Sequence, residues 1–276
     1  MVLGASPWGS PWGAWARLVG LTTYGDGDTK AQRRGRILEP ALLAWHASEI
    51  GEKIHPGPTI AEDPWTADDD WRHARPDGFY SWGRIPAPGL VLVEVKTTRD
   101  WTGWGAEGTD QVPPWYAVQV LWQQQVALDM GEDVERSELI AFSPMTEDIR
   151  VYRFPVTARS RALSARLTER VRDWYDRHVR TGEPPAVDDS AECRAAIGLR
   201  FARTAKEWKQ PTDADVLMIA NLRRLRAARD AAESLVKSAE NAIRLALGTA
   251  YGFDGLIRAQ GASRALYLLD TEPTGD

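Results

Sequence analysis

Leu90 to Thr98 read LVLVEVKTT, nine residues of almost uninterrupted aliphatic and β-branched side chains behind the turn formers Pro86, Pro88 and Gly89. Such a run is expected to form a buried strand. Side chains alternate along a strand, so Val91, Val93, Val95 and Thr97 fall on one face and Leu90, Leu92, Glu94, Lys96 and Thr98 on the other. Glu94 and Lys96 thus share a face, one pleat apart. A carboxylate and an ammonium on an otherwise apolar face are costly to desolvate unless they pair with each other or bind something else. An ion pair, or a lysine guarding a sheet edge, is the ordinary account of an isolated Glu-x-Lys. A metal site with the lysine beside a phosphate is the other account, and the sequence upstream separates the two.

There, Arg75-Pro76-Asp77-Gly78 is a turn by its local grammar, followed by a short aromatic strand, Phe79-Tyr80-Ser81-Trp82. If that strand pairs antiparallel with 90–98 through the loop Gly83–Gly89, the hairpin is centred near residue 86 or 87. Asp77 then lands opposite Lys96 and beside Glu94. Two carboxylates and a lysine gathered on a hairpin make little sense as core. As hard oxygen ligands they suit Mg²⁺ or Mn²⁺, in a site that polarises a phosphodiester and lowers the pKa of an attacking water.

The flanking segments read as helices and further strands. Lys30–Arg36, KAQRRGR, carries four positive charges and runs into ILEPALLAWHA, a helix with Pro40 in its first turn and Glu39 near its positive end. Residues 4–21 open with Gly, Ser and Pro turns and pass into a short apolar helix around Ala14–Val19; Ser6 could hold a phosphate there, although a helix N-cap is the ordinary role of such a serine. Asp68-Asp69-Asp70 lacks the glycine-spaced ligand loop of a calcium site and reads as a solvated loop. Pro113-Pro114 opens a helix to about Met130 that sets Tyr116, Gln119 and Gln123 on one stripe and Val118, Trp122 and Val126 on a flank that can face the core. Leu139–Phe142 and Arg150–Phe154 read as strands, and Thr157 to about Arg180 as a helix turning Leu163, Leu167, Val171 and Trp174 inward.

These pieces resemble a known family. The turn Pro76-Asp77-Gly78 followed by Glu94-Val95-Lys96 is similar to the signature of the PD-(D/E)xK nuclease superfamily. LGASPWGSPWGAWARLVGL, Gly35-x-x-x-Glu39-Pro40 and PPWYAVQVLWQQQVA resemble the phage YqaJ-like recombinases, the lambda exonuclease group, over roughly residues 3–157. The resemblance implies an α/β (α+β) core of restriction-endonuclease type with a mixed central sheet flanked by helices. It implies catalytic roles for Glu39, Asp77, Glu94, Lys96, Gln119 and Tyr116, with Asp77, Glu94, the Val95 carbonyl and Glu39 around Mg²⁺, or Mn²⁺ in its place. Candidate DNA-binding residues are Ser6, Arg33, Arg34, Arg36 and Arg75. Implied partners are double-stranded DNA ends, a phage single-strand annealing protein and further copies of the chain in a homo-oligomer. The arginine-containing segment and I-G-x-S-D stretch with which such proteins usually begin are not found here; either the start is truncated or 5′-phosphate recognition depends on what remains, including Ser6.

Composition bounds the rest. With 276 residues, 43% hydrophobic and 26% charged, the chain is ordinary for a globular protein, and 13 tryptophans, among them Trp8, Trp12, Trp82, Trp101 and Trp104 beside Gly or Pro, are chiefly packing elements. The lone Cys193 excludes an internal disulfide and fits a reducing cytoplasm, as for a phage or prophage protein in a bacterial host. No apolar run is long enough for a membrane span, and a net charge of −5 argues against a uniformly basic nucleic-acid coat while leaving room for a local basic channel. The linker Thr181–Ser190, TGEPPAVDDS, marks a boundary by composition, giving a core over 1–185 and a helical appendage over 186–276. Within the appendage, Thr212-Asp213-Ala214-Asp215 starts a helix of 212–247, about 54 Å long. Leu222, Leu225, Ala232, Val236, Ala239, Ile243 and Ala246 give it a heptad-like seam that needs a partner, either the 157–180 helix or another copy. Ala265–Leu269 reads as a small strand. The activity that the resemblance implies is a 5′-to-3′ exonuclease on linear duplex DNA; a restriction-type endonuclease and a non-catalytic DNA-binding or scaffold protein are the alternatives.

Overall fold

The computed structural model describes residues 2, 4, 6, 9–21, 29–59, 61–69, 71–83, 89–201, 208–254, 256–260 and 265–268. Trp8, Asp70, Leu269 and the 84–88 part of the hairpin loop, with Pro86 and Pro88, lie outside the described residues. The chain forms two compact units, Met1–Thr204 and Ala205–Asp276. Along the first run α1 (Pro11–Leu18), α2 (Lys30–Ile50), the short strands β1 (His55–Pro56), β2 (Trp65–Thr66) and β3 (His73–Ala74), then β4 (Gly78–Trp82), β5 (Gly89–Thr97), α3 (Pro114–Asp129), β6 (Val134–Ser143), β7 (Asp148–Pro155), α4 (Ala158–Trp174), a π-helix over Tyr175–Arg180, and α5 (Ala191–Arg200).

The central sheet has the order β1-β4-β5-β6-β7, with β5 and β6 parallel and all other neighbours antiparallel. A parallel pair needs a long crossover, and α3 supplies it. The alternation along β5 divides the core as expected. Val91, Val93 and Val95 pack with Tyr80, Ile140 and, from α2, Leu38, Leu42, Leu43 and Trp45. On the opposite face Leu92 packs with Ala127 of α3, Val134 and Trp65, while Val120 of α3 joins Leu139, Ala141, Tyr152 and Phe154.

Several expectations are corrected. The hairpin pairs Gly78 with Val93 and Trp82 with Gly89, so one step further Asp77 faces Glu94 and not Lys96. A shift of two residues keeps every side chain on its face, because the side-chain period of a strand is two. Helix α2 begins at Lys30, where Thr29 and Gln32 form a reciprocal capping box (Gln32 N–H to Thr29 Oγ1, 3.2 Å; Thr29 N–H to Gln32 Oε1, 2.9 Å). Pro40 and Glu39 therefore lie inside the helix, beyond reach of the dipole at its start. An interior proline costs about 3 kcal/mol relative to alanine; the apolar face from Leu38 to Ile50, packed on the sheet, offsets it. On α3 the buried residues are Val120, Leu121, Gln123, Gln124, Val126 and Ala127, with Val118 and Trp122 only half-buried, because the helix is covered by the sheet on one side and by α4 on the other. On α4 it is Ser164 that is buried while Leu163 is exposed. Asp69 is no solvated loop residue, since it accepts from Arg72 Nε (2.7 Å) and Arg172 Nη2 (3.2 Å).

The composition boundary at 181–190 falls within the first unit. Beyond it α5 buries Cys193 and Ala196 against Trp12, Trp15 and Ala16 of α1, so 186–200 belongs with the core. Ser10, and not Ser6, caps α1 by accepting from the Gly13 N–H at 2.9 Å. The second unit holds α6 (Asp213–Leu247), capped by Thr212 and Asp215, and a three-stranded sheet of β8 (Gly252–Phe253), β9 (Ile257–Gln260) and β10 (Ala265–Leu268). No helix among the described residues is long and apolar enough to cross a membrane.

Candidate active site

The Asp77 turn, the C-terminal half of β5, the N-terminal half of α2 and the start of α3 meet at one open cleft of about 690 Å³. From α2 it is lined by Gln32, Gly35, Arg36 and Glu39, whose spacing places them on one helical face. Asp77, Val95, Lys96 and Tyr116 line the remainder. A second cleft of about 660 Å³ shares Arg36, Glu39 and Asp77, so these three stand where the two clefts meet.

Asp77 is fixed by its backbone surroundings. Its Oδ2 accepts the Val95 N–H at 2.7 Å, which ties the turn to β5. On the other side the Gly57 N–H donates to the Asp77 carbonyl at 3.0 Å. A Cβ on Gly57 would stand 1.7 Å from the Pro76 carbonyl oxygen, so only glycine admits this approach.

Glu94 lies behind the cleft wall, 2% exposed. Its Oε1 accepts from Lys96 Nζ and from Gln119 Nε2 at 2.6 Å, and its Oε2 from Gln123 Nε2 at 2.8 Å. Gln123 also donates to the Arg75 carbonyl at 3.3 Å, linking β5, α3 and the Asp77 turn. Lys96 Nζ lies 5.7 Å from the centre of the Tyr116 ring, within cation–π range. Gln123 is a residue of this site that no motif marks; the signal for it in the sequence is its helical spacing of four from Gln119, which puts both amides on Glu94.

The charges are unevenly matched. Burial first, and then the Glu94 charge, hold the Asp77 carboxyl well above the ordinary aspartate range, against the opposing pull of Lys96. Glu39 is raised for the same two reasons, opposed by Lys96 and Arg36. Burial lowers the pKa of the Lys96 ammonium, but Glu94 and Asp77 outweigh it and the net shift is upward. Lys96 is therefore a fixed cation and no base.

Among the described residues no three His, Cys, Asp or Glu side chains form a ready ligand group; the charge that answers Glu94 directly is Lys96. The donor set still suits a hard divalent cation. Glu39, Asp77 and Glu94 offer oxygen alone, and burial first, then the Glu94 charge, raises the proton affinity of Glu39 and Asp77 against the pull of Lys96.

The candidate DNA contacts separate. Arg36 lines both clefts. Arg33 and Arg34 are exposed on α2 and do not line them, and Ser6 is half-buried and likewise absent from the lining. The Arg75 guanidinium is engaged by the Thr59 and Glu62 carbonyls, at 3.1 and 2.7 Å.

Fold and site together define a mixed α/β unit that gathers carboxylates and a lysine at the end of one hairpin. The chain is similar in fold to the crystal structure of an alkaline exonuclease (LHK-Exo) from Laribacter hongkongensis, with 18% sequence identity and a TM-score of 0.37 over 61% of this chain and 88% of that one. It is similar also to LHK-Exo in complex with dAMP, with 17% identity and a TM-score of 0.35 over 60% of this chain and 87% of that one. No protein-family model and no curated protein sequence matches it.

Proposed function

We propose that this chain is a Mg²⁺-dependent deoxyribonuclease, a 5′-to-3′ exonuclease on linear duplex DNA that leaves 3′ single strands for a phage-type annealing protein. The observation that carries the reading is the convergence of Glu39, Asp77 and Lys96 on one open cleft, with Glu94 directly behind it on Lys96 and Gln119. Polarity and annealing partner rest on the resemblance to the YqaJ-like recombinases.

Asp77 and Glu94, with the Val95 carbonyl and Glu39, would hold Mg²⁺ or Mn²⁺, which when bound polarises the scissile phosphate and lowers the pKa of the attacking water. Lys96, kept protonated by Glu94 and Asp77, orients the nucleophile and offsets charge that develops on the phosphorane. Gln119 and Gln123 take one oxygen each of Glu94 and prevent the carboxylate from turning. Tyr116 backs the lysine. Arg36, at the junction of the clefts, offers a planar fork to a DNA phosphate.

The test is digestion of end-labelled linear duplex and of closed circular plasmid with Mg²⁺, Ca²⁺ or EDTA. The expected outcome is Mg²⁺-dependent loss of the linear DNA with early release of the 5′ label and an intact circle. Cleavage of the circle would assign an endonuclease of the same superfamily. A second reading, a non-catalytic DNA-binding or scaffold protein, is favoured by one observation, the three protein donors already on Glu94; DNA left whole in every condition would select it.

A further inference from the structure

Helix α6 carries an apolar seam that is largely exposed among the described residues. It is 35 residues long, about 52 Å at 1.5 Å per residue, and of its residues only Leu247 is buried. Leu222, Leu225 and Val236 are 48, 51 and 57% exposed. The rest of its unit is a small three-stranded sheet, with no second helix among the described residues. An isolated helix in water is marginal, and one with this many exposed aliphatic side chains gains its stability from a packed face. Leu222, Leu225, Ala232, Val236, Ala239 and Ile243 recur at the alternating three- and four-residue spacing of a coiled-coil seam, with Arg229 in the one remaining position.

We propose that α6 is a dimerisation helix whose occupant is the α6 of a second copy of this chain, lying antiparallel. Arg229 decides the orientation. A parallel, in-register pair would set Arg229 against Arg229 of the second copy inside the apolar seam, where like charges are destabilising. In the antiparallel pair Arg229 lies across from the small Ala232, whose neighbours Asp230 and Glu233 are acidic. That register also matches large against small, with Leu222 across from Ala239, and sets Leu225 on Val236. On the flank it brings Arg226 beside Glu233 of the second copy, twice by symmetry. Because the 229/232 level is the middle of Asp213–Leu247, the two helices overlap along their whole length.

The experiment uses the full chain, whose Cys193 is buried and free. Sedimentation at tens of micromolar should give a dimer. Leu222→Cys and Ala239→Cys variants, each oxidised alone, should stay uncrosslinked, while their mixture yields a disulfide-linked heterodimer. Arg226→Glu and Glu233→Arg should each weaken the dimer about tenfold, and the double reversal should restore it, with unchanged helix content by circular dichroism in all three. A monomer, self-crosslinking of either single variant, or a mixture that gives no heterodimer overturns the proposal. None of these outcomes bears on nuclease activity, whose residues all lie in the first unit.

Discussion

Glu94 on β5 and Glu138 on β6 are both buried, 2 and 1% exposed, on opposite faces of the same sheet. Glu138 accepts from Arg136 Nε at 3.0 Å and the Tyr80 hydroxyl at 3.0 Å, and meets His46 Nε2 at 2.6 Å. Burial pushes its pKa up, but the hydrogen bonds of His46 and Arg136 overcome it and leave the carboxyl at about 2. Glu94 has one cation and two neutral amides, and its acidic neighbours Asp77 and Glu39 are both pushed upward. A carboxylate that serves the fold is surrounded by enough positive charge to repel its proton. At Asp77 and Glu39 burial, and after it the Glu94 charge, raises the proton affinity without enough positive charge nearby to overcome it, and a bound cation would supply that charge. Burial raises the proton affinity at both sites, and only at Glu138 do the partners overcome it.

The largest expected effect tests this difference directly. Asp77→Asn or Glu94→Gln should lower Mg²⁺-dependent DNA degradation about a thousandfold or more with near-normal melting, since each removes a charge that the proposed function offers to the metal. Full turnover in a folded variant would show that the carboxylate charge has no catalytic use. Lys96→Ala should lose about a hundredfold in kcat while its affinity for duplex DNA in Ca²⁺ stays within about twofold, because the proposed role of the lysine is on the transition state more than on the ground state. Lost DNA binding with unaltered kcat would instead make Lys96 a structural partner of Glu94.

Glu138→Gln should do the reverse. Arg136 would be left without its buried counter-charge and His46 without its carboxylate hydrogen-bond partner, so stability should fall by about 3 kcal/mol, with turnover per folded molecule unchanged. The sign with pH follows from the depressed carboxyl. With a folded pKa of about 2 against an ordinary 4.5, the contribution of Glu138 is whole above about pH 4.5 and is lost as pH falls toward 2, about 3 kcal/mol in all. Acid unfolding of the variant should therefore be less steep than that of the wild type in this window. The smallest effect is thermal: Mg²⁺ should raise the wild-type melting temperature by a few degrees through preferential binding to the folded chain, and Asp77→Asn should abolish the rise. An equal rise in both proteins would place the bound ion elsewhere.

The alternation of Leu90–Thr98 was enough to assign both faces of β5, because the period of an extended chain is set by covalent geometry and needs no partner. The stripe of Tyr116, Gln119 and Gln123 on α3 and the cap of α6 at Thr212 were legible for the same reason: helical spacing and a capping residue act within a few positions. What required the tertiary structure was every quantity that depends on a distant segment. The hairpin register differs by two residues from the one read off its midpoint, since pairing is chosen by packing of both faces and not by counting along the loop. The extent of α2 was hidden by Pro40, whose cost is outweighed only once Leu38–Ile50 is packed on the sheet. The Glu138 network joins side chains 58 and 92 positions apart, and Arg75 reaches back 16 and 13 residues to the carbonyls that occupy it. Local pattern determines which face a charge occupies; which groups meet it there, and so whether it serves the fold or a ligand, is decided by packing across the chain.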